Sequence, residues 1–424
     1  GTFLKNAGIV GLIRFLVHNN ARENTDYIID GYELRISVDY LRDNDIAQMY
    51  FDTVTDLFEE QTKFYKIISQ DRAIIESLIS KGIDTLDKDE NKKLTELIKA
   101  FEDEMLKKSY EKVYELIKAA ELSDITHDDI MVLKKEKDLN ARYQIYSRLI
   151  DKVSVKEVKR QFIYTTLLFG DFRFFFVENK SSHIISALDD AMKSRRDIIY
   201  NNFCKSLLED ISAEEKKKKT RCIECMQKTS QPKDNTFMVD TADDVKRKKS
   251  NYWNLSSDAV ICPVCALLYL FVPLGFAFLG RTAVFINMNS SVEMLYKIME
   301  TYRSKTDDEN ATYYQKLYKI FTDEKIQILS ERLSNIQIVF RDTNSEHYNM
   351  KIIDKPIIEK LQKANKLCNL SGLEKVYLVQ GTGKDTKYES IYDDVFDCVF
   401  SYKSMYGLID KCLRYEFSND STRY

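Results

Sequence analysis

"RCIECMQ" (residues 221–227) and "VICPVCAL" (residues 260–267) each hold two cysteines in a C-x2-C pair. The two pairs are separated by 36 residues, which lie between Cys225 and Cys262. A C-x2-C turn directs two sulfurs at one centre, and Zn²⁺ prefers four such ligands in a tetrahedron. Pro263 suits a tight turn in the second pair, because proline presets φ. We therefore predict that Cys222, Cys225, Cys262 and Cys265 bind one metal ion.

The predicted ion is structural Zn²⁺, and the spacing resembles a zinc ribbon with a long insertion. A catalytic zinc site needs an open position and usually a nearby histidine. The four histidines are instead dispersed along the chain, at His18, His127, His183 and His347. A redox C-x-x-C motif is the alternative interpretation of each pair.

The chain has 424 residues, of which 44% are hydrophobic, enough for two or three domains with real cores. Only 4 prolines and 12 glycines occur, which favours a mostly helical protein. The 64 Lys and Arg residues nearly balance 67 Asp and Glu, giving a net charge of -3. This balance argues against nonspecific coating of nucleic acid by the whole chain, so any such contact requires a local patch.

The start of the sequence has no charged region followed by an apolar run and a small-residue cleavage site, so we expect no signal peptide. This indicates a reducing compartment, and we predict a cytoplasmic location. Disulfides are then not expected. Outside the two pairs, we expect the cysteines to be small buried apolar side chains; they are Cys204, Cys368, Cys398 and Cys412.

Two dense cationic runs flank the first cysteine pair. Between residues 216 and 250 there are eleven Lys or Arg and five Asp or Glu. Such a surplus is typical either of a solvated loop or of a surface that contacts phosphates without reading sequence. The candidate nucleic-acid-binding residues are Lys216, Lys217, Lys218, Lys219, Arg221, Lys246, Arg247, Lys248 and Lys249.

Hydrophobic periodicity predicts the order of the elements in the first part of the chain. Apolar residues at 9, 12, 13 and 16 predict a buried amphipathic helix, and strict alternation over 32–40 predicts a half-buried strand. Residues 44–160 have helical patterns, with one stripe formed by Leu94, Leu97, Ile98, Phe101 and Met105. The aromatic segment 162–179 is interpreted as core.

The apolar stretch 266–280 follows the second cysteine pair and is interrupted by Pro273. We predict a buried helix broken at this proline, followed by a strand in "TAVFINM". A membrane span is the alternative, although the stretch is short for one. "NIQIVF" and "NMKII" predict two further strands, joined by a polar connection, before a helical end.

Catalytic signatures do not stand out, and we expect no catalytic residues and no enzymatic activity. "GTGK" at 381–384 lacks the other residues of a phosphate-binding loop. "HDD" at 127–129 follows Thr126, and we interpret it as the start of a helix. A nuclease whose carboxylates do not pair recognisably in the sequence remains an alternative, as does another zinc-ribbon nucleic-acid-binding protein.

These observations predict an α+β, predominantly helical fold with an embedded four-cysteine zinc-binding region. Residues 1–205 are predicted as an N-terminal mixed α/β domain and 206–290 as the zinc-binding region with basic loops. Residues 291–424 are predicted as a mainly helical domain with a small β-hairpin.

The opening "NAGIVGLIRFL" (residues 6–16), the strand after it, "CIEC", and "CPVC" leading into an apolar helix together resemble one family. This family is the large subunit of the type I-B CRISPR effector complex, the Cascade surveillance particle of antiviral defence. The resemblance is carried by the first forty residues and the cysteine region; elsewhere it rests on the order of elements. Only the four cysteines carry over as ligands.

The resemblance implies a non-catalytic subunit of a ribonucleoprotein that carries guide CRISPR RNA. Such a subunit lies beside the subunit that caps the 5′ end of the guide, and it contacts the backbone subunits. It recognises the protospacer-adjacent motif in double-stranded target DNA, aids unwinding and stabilises the R-loop. It also provides a docking platform for the helicase-nuclease. No membrane partner is implied.

Overall fold

Helices dominate the part of the chain that the structure, a computed structural model, describes. The residues described are 3–169, 195–234, 260–279, 282–288, 290–304, 335–342, 348–357, 359–360, 363, 370–373, 375–380 and 386–417. The predicted α+β, mainly helical class is confirmed.

The α-helices are short to medium in length, and 3₁₀ or π turns join several of them. Their bounds are α1 Phe3–His18, α2 Val38–Asp43, α3 Ile46–Phe58, α4 Lys63–Lys66, α5 Arg72–Ser80, α6 Lys88–Met105, α7 Glu111–Ala119, α8 His127–Lys135, α9 Leu139–Ser154, α10 Lys156–Phe169, α11 Arg195–Ile199, α12 Lys205–Ser212, α13 Pro263–Leu270, α14 Val272–Gly275, α15 Val292–Ser304, α16 Ile391–Phe400 and α17 Tyr406–Phe417.

The strands form several small antiparallel sheets and one of four strands in the order β10-β9-β8-β7. Their bounds are β1 Tyr27–Asp30, β2 Glu33–Ile36, β3 Thr220–Arg221, β4 Lys228–Thr229, β5 Lys233–Asp234, β6 Val260–Ile261, β7 Ala277–Leu279, β8 Thr282–Met288, β9 Asn335–Asp342, β10 Tyr348–Asp354, β11 Tyr377–Gln380 and β12 Lys387–Ser390.

The chain divides into two compact units. The helical unit consists of residues 14–28 and 36–274, and the sheet unit of residues 1–13, 29–35 and 275–424. The three domains expected from the sequence stay a prediction.

The core of the helical unit is aromatic and aliphatic. The predicted stripe on α6 faces this core: four of its five residues are buried, while Leu97 is half-buried. Phe162 of α10 stacks on Phe64, with ring centroids 5.2 Å apart, and meets Tyr110 edge-on at 5.0 Å. Residues 162–167 therefore lie in the core, as predicted for this segment, whereas the prediction for residues 170–179 falls outside the described residues.

Capping residues set the starts of two helices. The Thr126 hydroxyl accepts from the Asp129 backbone N–H, and the Asp129 carboxylate accepts from the Thr126 N–H, which forms a capping box. This confirms that "HDD" begins a helix. Asp87 and Glu90 form an equivalent box at the start of α6.

In the sheet unit, the start of α1 packs against the four-stranded sheet. Asn6 donates to Asn287 of β8 over 2.7 Å, and Phe3 contacts Tyr348 of β10 edge-on at 5.1 Å between centroids. Strands β8, β9 and β10 confirm the three strands predicted in "TAVFINM", "NIQIVF" and "NMKII". Strand β7 was not predicted.

Gly275, the last residue of α14, packs directly against the backbone of α1. A Cβ atom at this position would lie 2.0 Å from the carbonyl oxygen of Ala7. The Gly275 carbonyl also accepts a hydrogen bond from Arg303 of α15 at 2.8 Å. Only glycine therefore allows these helices to meet as they do.

Two sequence predictions need correction. The strand expected over 32–40 ends at Ile36, because the Ser37 hydroxyl accepts from the Tyr40 N–H and starts helix α2. The break expected at Pro273 lies at Phe271, and the proline is in the first turn of α14, where its missing N–H costs nothing.

None of the helices described has the length and apolar character needed to cross a bilayer.

Candidate metal centre

The first cysteine pair lies in the turn of a β-hairpin. Strands β3 and β4 pair with Arg221 opposite Lys228, which leaves residues 222–227 as the turn. The Cys222 N–H donates to the Gln227 carbonyl and the Met226 N–H to the Cys222 carbonyl, both over 2.9 Å. Met226 has a positive φ of 62°, which turns the chain back towards β4. The hairpin therefore holds Cys222 and Cys225 on one side of a tight turn.

The second pair occupies the first turn of helix α13. Cys262 is the N-cap residue, and its sulfur accepts from the Cys265 backbone N–H at 3.5 Å. Pro263 follows as the first helical residue, where proline is favoured. The turn predicted here is thus a helix start, and the positive end of the helix dipole favours thiolates at this position.

The four sulfur atoms converge on one point. All lie within 4.8 Å of one another, and Cys225 and Cys262 are separated by 3.6 Å between sulfurs. A tetrahedron with Zn–S bonds of about 2.3 Å requires sulfur–sulfur separations of about 3.8 Å. Three of the cysteines are buried and Cys225 is half-buried. The donor set and its spacing therefore fit one tetrahedral metal ion, and zinc as its identity stays a prediction.

The charge on the sulfurs explains why this cluster suits a cation. The hydrogen bond from Cys265 lowers the pKa of Cys262 to about 5. The same bond and burial raise the pKa of Cys265, while burial raises the pKa of Cys225 to about 11. The protein alone thus favours a thiolate at Cys262, while burial and nearby negative charge oppose one at Cys225 and Cys265. A divalent cation would stabilise the remaining thiolates.

Contacts between the two pairs hold the cluster together. The Ile223 N–H donates to the Val260 carbonyl of β6 over 2.9 Å. Glu224, between the first two cysteines, lies close to Tyr269 of α13; burial raises the pKa of this tyrosine, and the negative charge of Glu224 raises it further. The hairpin is therefore joined by a backbone hydrogen bond to the strand that directly precedes the second cysteine pair.

Asp210 of α12 anchors the far end of the hairpin. Its side chain is buried and accepts from the Ser230 N–H at 2.6 Å and from the Ser230 hydroxyl at 2.7 Å. Ser230 directly follows β4. Sequence reasoning missed Asp210, since nothing in its local sequence links it to cysteines that follow on other elements.

Asp210→Ala is expected to release zinc about tenfold faster than the wild type, because hydrogen bonds of a carboxylate such as those to Ser230 contribute about 1.5–3 kcal/mol and hold one end of the hairpin. The rate is measured by transfer of the ion to a chromophoric chelator. Glu209→Ala removes the exposed neighbouring carboxylate and should release zinc at the wild-type rate. An unchanged rate for Asp210→Ala would show that the hairpin needs no anchor.

The first cationic run lies beside the cluster. Lys216, Lys217, Lys219 and Arg221 are exposed, and Lys218 is half-buried. Lys216 also forms an ion pair with Glu214 at 2.9 Å, and Lys218 one with Glu215 at 3.9 Å. The candidates Lys246, Arg247, Lys248 and Lys249 lie outside the described residues.

Another cation of this region is not available to phosphates. Lys233 of β5 is partly buried over the Phe203 ring, 5.5 Å from its centroid, and donates to the Asn202 carbonyl. Burial lowers its pKa. Lys233 therefore fixes β5 to the helix before α12, and it reduces the cationic surplus that can face solvent.

Residues 215–277 match the family model described as CRISPR-associated protein (Cas_CXXC_CXXC). The matched segment contains both C-x2-C pairs and all of α13. It indicates a CRISPR-associated protein, while covering well under half of the chain. No curated protein and no solved structure matches the chain.

Proposed function

We propose that this protein is the non-catalytic large subunit of a type I-B CRISPR effector complex. The observation that carries the proposal is the convergence of four cysteines within the segment that matches a CRISPR-associated family. The opening helix α1 and the strand β2 precede this segment in the order on which the resemblance rests.

In this proposal the chain works in the cytoplasm, beside guide RNA and the backbone and 5′-end-capping subunits. It recognises the protospacer-adjacent motif in duplex DNA, aids unwinding, stabilises the R-loop and docks the helicase-nuclease. Base pairing with the guide reads the target, so the protein itself needs to read only the adjacent motif. No reaction is assigned to the metal, because four thiolate ligands leave no open coordination position.

The metal centre would hold a DNA-contacting surface in a fixed conformation. Zinc binding would fix the hairpin β3–β4 to the start of α13, and the exposed cations at 217, 219 and 221 lie on or next to that hairpin. Phosphate contacts from such residues position a protein on DNA without reading its sequence.

The quadruple variant Lys216→Gln, Lys217→Gln, Lys218→Gln and Lys219→Gln is expected to weaken DNA binding equally for all sequences. The slope of log affinity against log salt should become shallower by about 0.9 for each DNA phosphate that these lysines no longer neutralise. Fluorescence anisotropy of the assembled complex at several salt concentrations measures both effects. A control variant that neutralises three other exposed lysines, Lys134, Lys135 and Lys137 around the end of α8, should leave the slope unchanged.

An unchanged slope in the first variant would assign residues 216–219 to a solvated loop. The second run, 246–249, needs its own variant set, so that each run is tested separately.

Purification of the tagged chain from its native host tests the function itself. Guide RNA and further CRISPR-associated subunits are expected to co-purify, and the isolated chain should not cleave DNA with Mg²⁺ or Mn²⁺. Recovery of the chain without RNA and subunits would contradict the proposal. Metal-dependent cleavage by the isolated chain would instead support a nuclease.

A further inference from the structure

Helix α17 presents an apolar stripe to solvent. Tyr406, Ile409, Leu413 and Phe417 are 82%, 51%, 48% and 84% exposed. Their spacing of three, four and four residues places them on one face of the helix. Isolated exposed apolar residues are common, but four in a continuous row along one helix mark an interaction surface.

The opposite face of α17 already packs on the protein. Tyr415 is buried against Leu378 and Ile391, with Leu408 and Cys412 at the edge of this cluster. The Tyr415 hydroxyl accepts from the Val379 N–H at 2.6 Å. The stripe is therefore a second apolar face, separate from the one that attaches the helix to β11.

A charge pair borders the stripe on one side. Asp410 and Arg414 form an exposed ion pair at 2.8 Å. In two antiparallel helices packed face to face, the same flank of each helix meets, with the residue order reversed. A two-fold axis near the middle of the stripe would place Tyr406 level with Phe417 of a second copy.

The same axis would place Ile409 level with Leu413 of the second copy, so the stripe is close to self-complementary. It would also bring Asp410 level with Arg414 of the second copy, and Arg414 level with its Asp410. The ion pairs then continue across the interface.

We propose that α17 is a self-association surface, on which two copies of this chain pair through antiparallel helices. The stripe exposes about 500 Å² of apolar surface per copy, since each buried aromatic contributes about 150–250 Å². A pair would bury at most about 1,000 Å², the lower limit for a specific interface. The dimer is therefore weak and concentration-dependent, and it is independent of the function proposed above.

Sedimentation equilibrium of the full chain tests this proposal. The wild type is expected to dimerise reversibly at about 10–100 µM, the range of a small interface. Leu413→Glu should raise the dissociation constant at least tenfold, while Val132→Glu, at an exposed aliphatic position on α8, should leave it unchanged. Circular dichroism confirms that each variant keeps its helices.

A charge exchange tests the antiparallel geometry. Asp410→Arg alone and Arg414→Asp alone should each weaken the dimer, because like charges would then face each other across the interface. The double variant should restore it. A monomeric wild type at 100 µM, an unchanged dimer in Leu413→Glu, or no recovery in the double variant would each overturn the proposal. A monomer whose stripe is needed to hold another subunit would show that the surface binds a different protein.

Discussion

Cys222→Ser is expected to remove zinc from the purified protein and to unfold the segment around residues 215–277. Serine keeps the shape of the side chain but is not a thiolate, so three soft ligands remain in a site built for four. Structural zinc typically contributes about 10–16 kcal/mol to the folding of small zinc domains at neutral pH. Losing most of this contribution removes free energy comparable to the whole stability of an ordinary domain, about 5–15 kcal/mol, and Cys265→Ser should behave in the same way.

Elemental analysis and limited proteolysis measure this result. The wild type should hold about one zinc ion per chain, as a four-ligand site requires. The variant should hold almost none and be cleaved rapidly between α12 and β7. Assembly with guide RNA and other subunits should also be lost.

Cys398→Ser is the matched control, because Cys398 is a half-buried cysteine on α16 that does not belong to the cluster. It should keep both zinc and protease resistance. A wild type without zinc or any other bound transition metal would contradict the metal centre, and a stable Cys222→Ser protein that retains the ion would show that three sulfurs suffice.

Gly275→Ala is expected to destabilise the sheet unit by about 3 kcal/mol, at the upper end of the range for overpacked sites. The new methyl group would lie 2.0 Å from the Ala7 carbonyl oxygen, and a backbone atom cannot move aside as a flexible side chain would. Helix α1 or α14 must therefore shift. Such a shift would also strain the hydrogen bond from Arg303 to the Gly275 carbonyl.

Thermal unfolding followed by circular dichroism measures the effect, with an expected decrease of roughly 6–12 °C in the midpoint. Gly407→Ala is the control, since a Cβ there meets nothing within 4 Å. Alanine is a better helix former than glycine, so the control should be stabilised by about 0.5–1 kcal/mol. Equal midpoints for Gly275→Ala and wild type would show that the two helices can separate without cost.

Local sequence patterns predicted the elements whose formation depends on near neighbours. The stripe on α6 and the capping box at Thr126 are settled within a few residues, so periodicity and capping rules identify them. The strand predicted over 32–40 was wrong in its second half, and the cause is again a local interaction. Ser37 offers its hydroxyl to the backbone N–H of Tyr40, three residues ahead, and this local bond overrides the alternating pattern.

The four cysteines were identifiable from spacing alone, because thiol pairs two residues apart are the chemistry that a structural metal requires. The environment of the cysteines could not be identified from the sequence. That the second pair begins a helix, that Asp210 holds the hairpin, and that Gly275 meets Ala7 all depend on segments distant in sequence. Such contacts depend on how the whole chain packs, and a short stretch of sequence does not specify which distant segment it will contact. The residue types and spacing thus determined which atoms can bind the ion, and the tertiary structure alone decided what holds those atoms in place.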